Sequence, residues 1–315
     1  MPPPPANLLH ARRRALAALT AGGAATAFPG LLRAQAADRA PLTRPIPSSG
    51  ELLPLVGLGT WITFNVGKDR VLRDQCVAVM RSFFDAGGRL IDSSPMYGSS
   101  QDVIGDGLAR LGHPRALFAA DKVWIGSGTR GAEQIETSRT LWRVPRFDLL
   151  QVHNLLAWQE HLPTLMTMKR DGKLRYVGIT TSEGRRHREL EQILREHPLD
   201  FVQLTYNAVD REAEQRLLPL ARDRRIAVIV NRPFNQGELT RSLGRHPLPA
   251  WATEIRCTTW AQVLLKFILA HPAVTCAIPA TSNPAHVVEN LAAARGPLPD
   301  ETLRQRIARE VGKLA

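Results

Sequence analysis

LRYVGIT (174–180), RRHRELEQILREHP (185–198) and FVQLTYN (201–207) follow one another along the chain. The outer two runs are short, apolar and rich in residues that favour strands. The middle run repeats its apolar positions with helical spacing and is polar elsewhere. A strand, a helix and a second strand in that order predict a βαβ unit, whose two strands lie parallel.

The same pattern extends in both directions. Further strand-like runs are LPLVGLGT (53–60), RLIDS (89–93), ALFAADK (116–122), FDLLQVH (147–153), IAVIVNRP (226–233) and VTCAIPAT (274–281). A second amphipathic stretch, DRVLRDQCVAVMRSFFDAG (69–87), separates two of them. Eight alternating units predict a single-domain α/β protein, a closed (β/α)8 barrel of the TIM type, in which function gathers at the carboxyl mouth. A doubly wound sheet would want a G-x-G-x-x-G turn after its first strand, and Gly57-Leu58-Gly59-Thr60 does not complete that pattern.

Four polar residues sit where apolar runs end: Asp92, Tyr97, Lys122 and His153. A tyrosine can donate a proton, but its ordinary pKa of about 10 is high for that task. A neighbouring ammonium stabilises the phenolate and lowers that pKa. Asp92 can hold Lys122 charged and in place, and His153 can orient a carbonyl oxygen. Each residue also has a structural reading: Asp92 as a turn cap, Tyr97 as a loop aromatic, His153 as a core histidine and Lys122 as a snorkelling strand end. Together, at successive strand ends, they point to carbonyl chemistry.

Composition narrows the alternatives. The chain has 315 residues, 44% hydrophobic and 22% charged, with a formal net charge of +12. The basic residues are scattered and not interleaved with aromatics, which argues against a nucleic-acid surface. The three cysteines, Cys76, Cys257 and Cys276, suggest no disulfide framework. No histidine pair has ligand spacing beside acids, so no metal is expected. Residues 1–36 carry Arg12-Arg13-Arg14, then a small-residue apolar stretch, then Ala34-Gln35-Ala36. This reads as a twin-arginine-type export signal. It predicts passage through the twin-arginine machinery to the periplasm or another exported location. The mature barrel would then comprise residues 37–315, with no stable membrane insertion once the signal is gone.

Along residues 45–292 the chain resembles the aldo-keto reductases. Gly57, Gly59, Thr60 and Trp61 match that family's opening G-x-G-T-W run. Asp92, Pro95, Tyr97 and Gly98 match its D-x-x-P-x-Y-G motif, and Lys122 and His153 match the rest of its catalytic tetrad. IPATSNPAHVVENL (278–291) resembles its coenzyme segment. The resemblance implies a barrel that transfers a hydride between a nicotinamide coenzyme, usually NADPH with NADH possible, and a small-molecule aldehyde or ketone. The runner-up is a non-catalytic coenzyme-binding barrel that senses redox state or supports a partner.

Residue by residue, the resemblance implies that Gly59 and Thr60 approach the nicotinamide and that Trp61 and Trp124 line the substrate pocket. Thr180, Thr181 and Gln203 would hold the carboxamide. Pro233 and Phe234 would run beside the pyrophosphate, after Asn231 and Arg232. Asn231 stands where an aromatic often stacks on the nicotinamide ring. Thr281, Ser282, His286, Glu289 and Asn290 would serve the adenosine end. Many relatives place a cation where this chain has Ala280 and His286, so the expected NADPH preference is modest. The chain ends about 25 residues after Asn290, so a long carboxyl-terminal substrate loop is absent or short.

Overall fold

The computed structural model describes residues 41–315. The expected export signal and its cleavage site lie outside the described residues. Two short strands, β1 (Thr43–Pro45) and β2 (Leu52–Pro54), form an antiparallel hairpin. Then come β3 (Leu58–Gly59), β4 (Leu90–Asp92), β5 (Phe118–Val123), β6 (Phe147–Val152), β7 (Leu174–Thr180), β8 (Phe201–Thr205), β9 (Ala227–Asn231) and β10 (Val274–Ala277). These eight lie in chain order in one sheet, every neighbouring pair parallel. The ring closes where the first strand meets the last. Ala277 N–H donates to Leu55 O at 2.9 Å, Gly57 N–H to Ala277 O at 2.9 Å and Gly59 N–H to Pro279 O at 3.1 Å.

All eight expected strand runs therefore form barrel strands. The first run, 53–60, is divided: its start pairs with β1 and only Leu58–Gly59 enters the ring as a strand. The hairpin has a use there. Ile46 and Leu53, both fully buried, join the apolar cluster formed inside the barrel by Leu90, Phe118, Leu149, Phe201 and Ile229. They plug the end of the barrel opposite the site.

The helices between strands follow their sequence signals. α1 (Arg70–Asp85) is capped by Asp69, whose carboxylate accepts the Leu72 N–H. α2 (Ser100–Arg110), α3 (Gly131–Trp142), α4 (Trp158–Arg170), α5 (His187–Glu196), α6 (Leu217–Asp223), α7 (Glu238–Leu243) and α8 (Trp260–Leu269) follow. α9 (Pro284–Ala292) starts as its sequence predicts: Asn283 accepts the Ala285 N–H and Pro284 opens the first turn. α10 (Glu301–Leu314) buries Ile307 and Val311, and its Leu314 carbonyl accepts from Ser242 on α7 at 2.9 Å.

Strand alternation decides what faces the barrel axis. Leu90 and Asp92 share a face, as do Phe118, Ala120 and Lys122, then Leu149 and Gln151, then Phe201 and Gln203. The lower layers are apolar and the top layer is polar. Above the plug, the barrel thus ends in a disc of buried polar side chains.

The two glycines of the opening run sit in tight space, Gly57 against β4 and Gly59 at the seam. A Cβ at Gly57 would lie 2.9 Å from Leu90 O, and one at Gly59 would lie 2.7 Å from Ile278 O. Neither glycine has a positive φ, so the constraint is space. Gly57→Ala should therefore lower the free energy of unfolding by about 1–3 kcal/mol, the usual cost of overpacking. Gly126→Ala, with nothing within 4 Å of its Cβ, is the matched control. Urea denaturation of both variants checks this; equal stabilities would show that the position has room to spare.

Candidate active site

The polar disc is built around one ion pair. Lys122 Nζ bonds Asp92 Oδ1 and also donates to Ser93 O at 2.8 Å. The other carboxylate oxygen, Asp92 Oδ2, accepts from Gln203 Nε2 at 3.0 Å and Gln151 Nε2 at 3.2 Å. Thr60 Oγ1 donates to Asp92 O at 2.8 Å, which ties the seam to the disc. Burial by itself would lower the Lys122 pKa, but Asp92 and Tyr97 outweigh it and hold the pKa above its ordinary value. Lys122 is therefore a charged ammonium with no exposed surface.

Tyr97 stands above this charge. Its short helical turn, Pro95–Tyr97, is capped by Ser94, and Lys122 Nζ lies 5.2 Å from its ring centre. The sequence reading has Lys122 lowering the phenol pKa. In the structure the pKa is raised, because burial outweighs the pull of the ammonium. Tyr97 consequently holds its proton at neutral pH and can act as a donor. The His153 ring meets it edge to face, centroids 5.7 Å apart. Burial, helped by Lys122, lowers the His153 pKa to about 2, so this imidazole is neutral. Its Nδ1 lies 2.8 Å from Ser94 Oγ. All four residues expected to carry the chemistry are thus gathered at one mouth.

Tyr97 and His153 open into a cleft of about 680 Å³ that reaches from Trp61 to Asn290. Gly59, Thr60, Thr180, Gln203, Pro233, Phe234, Thr281, His286 and Glu289 of the expected set also line it. Lys122, buried in the disc, does not, and three more expected residues do not either. Thr181 is buried behind its strand end, where its carbonyl accepts from Asn231 Nδ2 at 2.9 Å. Ser282 offers its carbonyl to Gln75 Nε2 at 2.8 Å. Trp124 stands beside the cleft, its ring 6.5 Å from that of His153. Asn231 lines the cleft, but both ends of its amide are engaged, by Thr205 Oγ1 at 2.7 Å and by Thr181 O. It ties strand ends together and does not supply a ring face. Among the described residues, none beyond Asn290 lines the cleft.

Sequence reasoning missed several contributors. Gln151 and Ser94 had no motif of their own, although each lies beside one. Asn154 lines the cleft and accepts from Ser182 Oγ at 3.3 Å. Asp121, next to Lys122, is buried and bonded by Gln101 Nε2 at 2.7 Å; burial raises its pKa to about 7. It faces away from the cleft and anchors β5 to α2.

A dinucleotide suits this geometry. The cleft is long and continuous, and the start of α9 offers free backbone N–H groups to a phosphate at its far end. Gln203, which lines the cleft, gives its amide nitrogen to Asp92.

Comparison with known proteins agrees. The chain is 28% identical over 253 residues to methylglyoxal reductase YeaE of Escherichia coli (strain K12), covering 78% of this chain and 88% of that protein. It is 28% identical over 262 residues to the NADH-specific methylglyoxal reductase of the same organism, covering 71% and 77%. A crystal structure of an aldo/keto reductase from Klebsiella pneumoniae, in complex with NADP and acetate, superposes with a TM-score of 0.70 at 25% identity, covering 83% of this chain and 93% of that one. The profile of the Aldo/keto reductase family matches residues 55–307, and with this barrel and this polar mouth the chain belongs to that family.

Proposed function

We propose that this protein is an NAD(P)H-dependent reductase of aldehydes or ketones, with Tyr97 as general acid and NADPH as the preferred coenzyme. The observation that carries the proposal is the buried Lys122–Asp92 pair directly beneath a protonated Tyr97, with a neutral His153 at its side. A bound nicotinamide supplies the hydride that the carbonyl carbon receives. The chain's own residues manage the oxygen. Tyr97 gives its proton to the carbonyl oxygen as negative charge develops there, so the product is an alcohol. Lys122 stabilises the phenolate left behind, and Asp92 keeps Lys122 charged and fixed.

His153 acts as a hydrogen-bond donor, and Ser94 sets it up. Ser94 Oγ accepts the Met96 N–H at 3.2 Å. Among the described residues, the acceptor for its own proton is Nδ1 of His153. Nδ1 is then the bare nitrogen, and Nε2 carries the hydrogen. A neutral Nε2–H points a donor at the carbonyl oxygen without competing to release a full proton.

For the coenzyme, Thr180, Asn154 and Gln203 serve the carboxamide end. Pro233 and Phe234 follow the pyrophosphate, while Thr281, His286, Glu289 and the start of α9 serve the adenosine end. Thr281 Oγ1 lies 3.5 Å from His286 Nδ1, so the two polar groups stand together where a 2′-phosphate would sit. With no Lys or Arg there, the helix start carries most of the discrimination.

Three outcomes follow from this reading. Tyr97→Phe should lose about 10²–10⁴-fold in turnover with a reactive aldehyde, while NADPH affinity by fluorescence quenching stays within about threefold. Turnover close to wild type would remove Tyr97 from the chemistry. Ser94→Ala should cost about tenfold in turnover, roughly one lost hydrogen bond, and Ser94→Thr should recover most of it. In ¹⁵N-histidine spectra the wild-type His153 should show a protonated Nε2 and no titration between about pH 5 and 8; a protonated Nδ1 would reverse the assignment. Finally, NADPH should bind about tenfold tighter than NADH, and His286→Ala should narrow the gap. A preference for NADH would show that the segment after β10 does not read the 2′-phosphate.

A further inference from the structure

β3 and β7 stand on opposite sides of the eight-strand ring, four places apart in its order. One side chain touches residues that follow both. Arg232, the first residue after β9, places its guanidinium carbon 5.3 Å from the ring centre of Trp61, which follows β3. Its Nη2 donates to Oε1 of Glu183, which follows β7, at 2.5 Å. Arg232 thus joins the loops that follow two opposite strands, and it lines the same cleft as Tyr97 and His153.

The backbone holds this arrangement at a cost. Arg232, Glu183 and Ile62, the residue after Trp61, all have left-handed φ values, of 51°, 61° and 66°. None is glycine, and a β-branched residue in that region is a marked outlier. Such strain persists where surrounding structure enforces it, commonly at ligand sites.

The charges at the mouth do not cancel. Glu183 is shared: its second oxygen pairs with Arg185, so one carboxylate stands between two guanidiniums. All three residues line the cleft. Lys122 and Asp92 neutralise each other below, and Glu289 stands at the far, α9 end. Asp210, which also feels the Arg232 charge, does not line the cleft. Among the described residues Arg232 uses only one nitrogen in a hydrogen bond, so donors remain in a fork suited to a carboxylate. Beneath lies an apolar floor, the Trp61 ring with Ile62, which is 63% exposed.

We infer that this mouth selects carbonyl substrates that carry a carboxylate on an apolar or aromatic body, with Arg232 as the principal anion-binding residue and Arg185 supporting it. The inference rests on the reductase reading above and names its substrate class.

A matched pair of probes tests it: 4-carboxybenzaldehyde and its neutral methyl ester, which present similar aldehydes and differ in charge. The wild type should show a higher kcat/KM for the acid than for the ester. Arg232→Gln should lower that acid-to-ester ratio about tenfold or more, the scale of one lost charged hydrogen bond, and Arg185→Gln should lower it less. The preference should also weaken with added salt. A wild-type ratio of one or below would overturn the inference. So would an unchanged ratio in Arg232→Gln accompanied by a tenfold loss of NADPH affinity, which would assign the arginine to the coenzyme. Benzoate and methyl benzoate binding to NADPH-loaded protein, read by calorimetry, separates the two levels of the argument. Arg232-dependent benzoate binding without turnover of either aldehyde would sink the reductase reading and keep the anion site. Equal binding of both ligands to wild type would sink the anion site.

Discussion

The pairing of Lys122 with Asp92 is the constraint on which the site depends. Both groups are nearly or fully buried, and taking two charges out of water costs several kcal/mol per ion unless geometry and extra hydrogen bonds offset it. Here they do. Ser93 O takes a second ammonium proton, and Gln151 and Gln203 fill the second carboxylate oxygen. These partners come from β4, β6 and β8, and Thr60 adds the seam at β3. The same contacts that make the charges tolerable therefore lock five strand ends together. A rigid ammonium beneath a phenol is then a by-product of satisfying a buried ion pair.

The site above this disc is a matter of competing pKa effects. Burial and Lys122 act together on His153 and keep it neutral. They oppose each other on Tyr97, and burial wins. One charge thus stands beside two adjacent neutral groups of different kinds, a phenol and an imidazole. One layer further out, loops with residues in left-handed conformations carry Trp61, Glu183 and Arg232. A rigid floor with a variable rim is how one barrel supports many substrates.

Much of this was legible in the sequence. Apolar runs alternating with amphipathic stretches implied the barrel, because strand and helix periods are local properties. Asp92, Lys122 and His153 were visible because each ends a mostly apolar run, and Tyr97 because it follows Asp92 by five residues. The cap at Asn283-Pro284 fell where local chemistry placed it. The direction of the Tyr97 shift was misread, since the sequence shows a neighbouring lysine but not how little water reaches the ring. Thr181 and Ser282 were placed in the cleft by motif position, and neither lines it, because a one-residue change of face on leaving a strand is set by the loop that follows.

What the sequence determined by itself was the order of elements, the residues at each strand end and the chemical types available for catalysis. These depend on periodicity, capping and composition within a few residues. Tertiary structure alone decided the rest: that Ser94 meets His153 across 59 positions, that two glutamines share one oxygen of Asp92, and that Arg232 reaches both Trp61 and Glu183. Such contacts depend on how the ring closes and on the stagger of its strands, which no local pattern encodes. Gly59 shows the link between the levels: its identity is written in the sequence, and the reason for it is the Ile278 carbonyl, brought close only when the first strand meets the last.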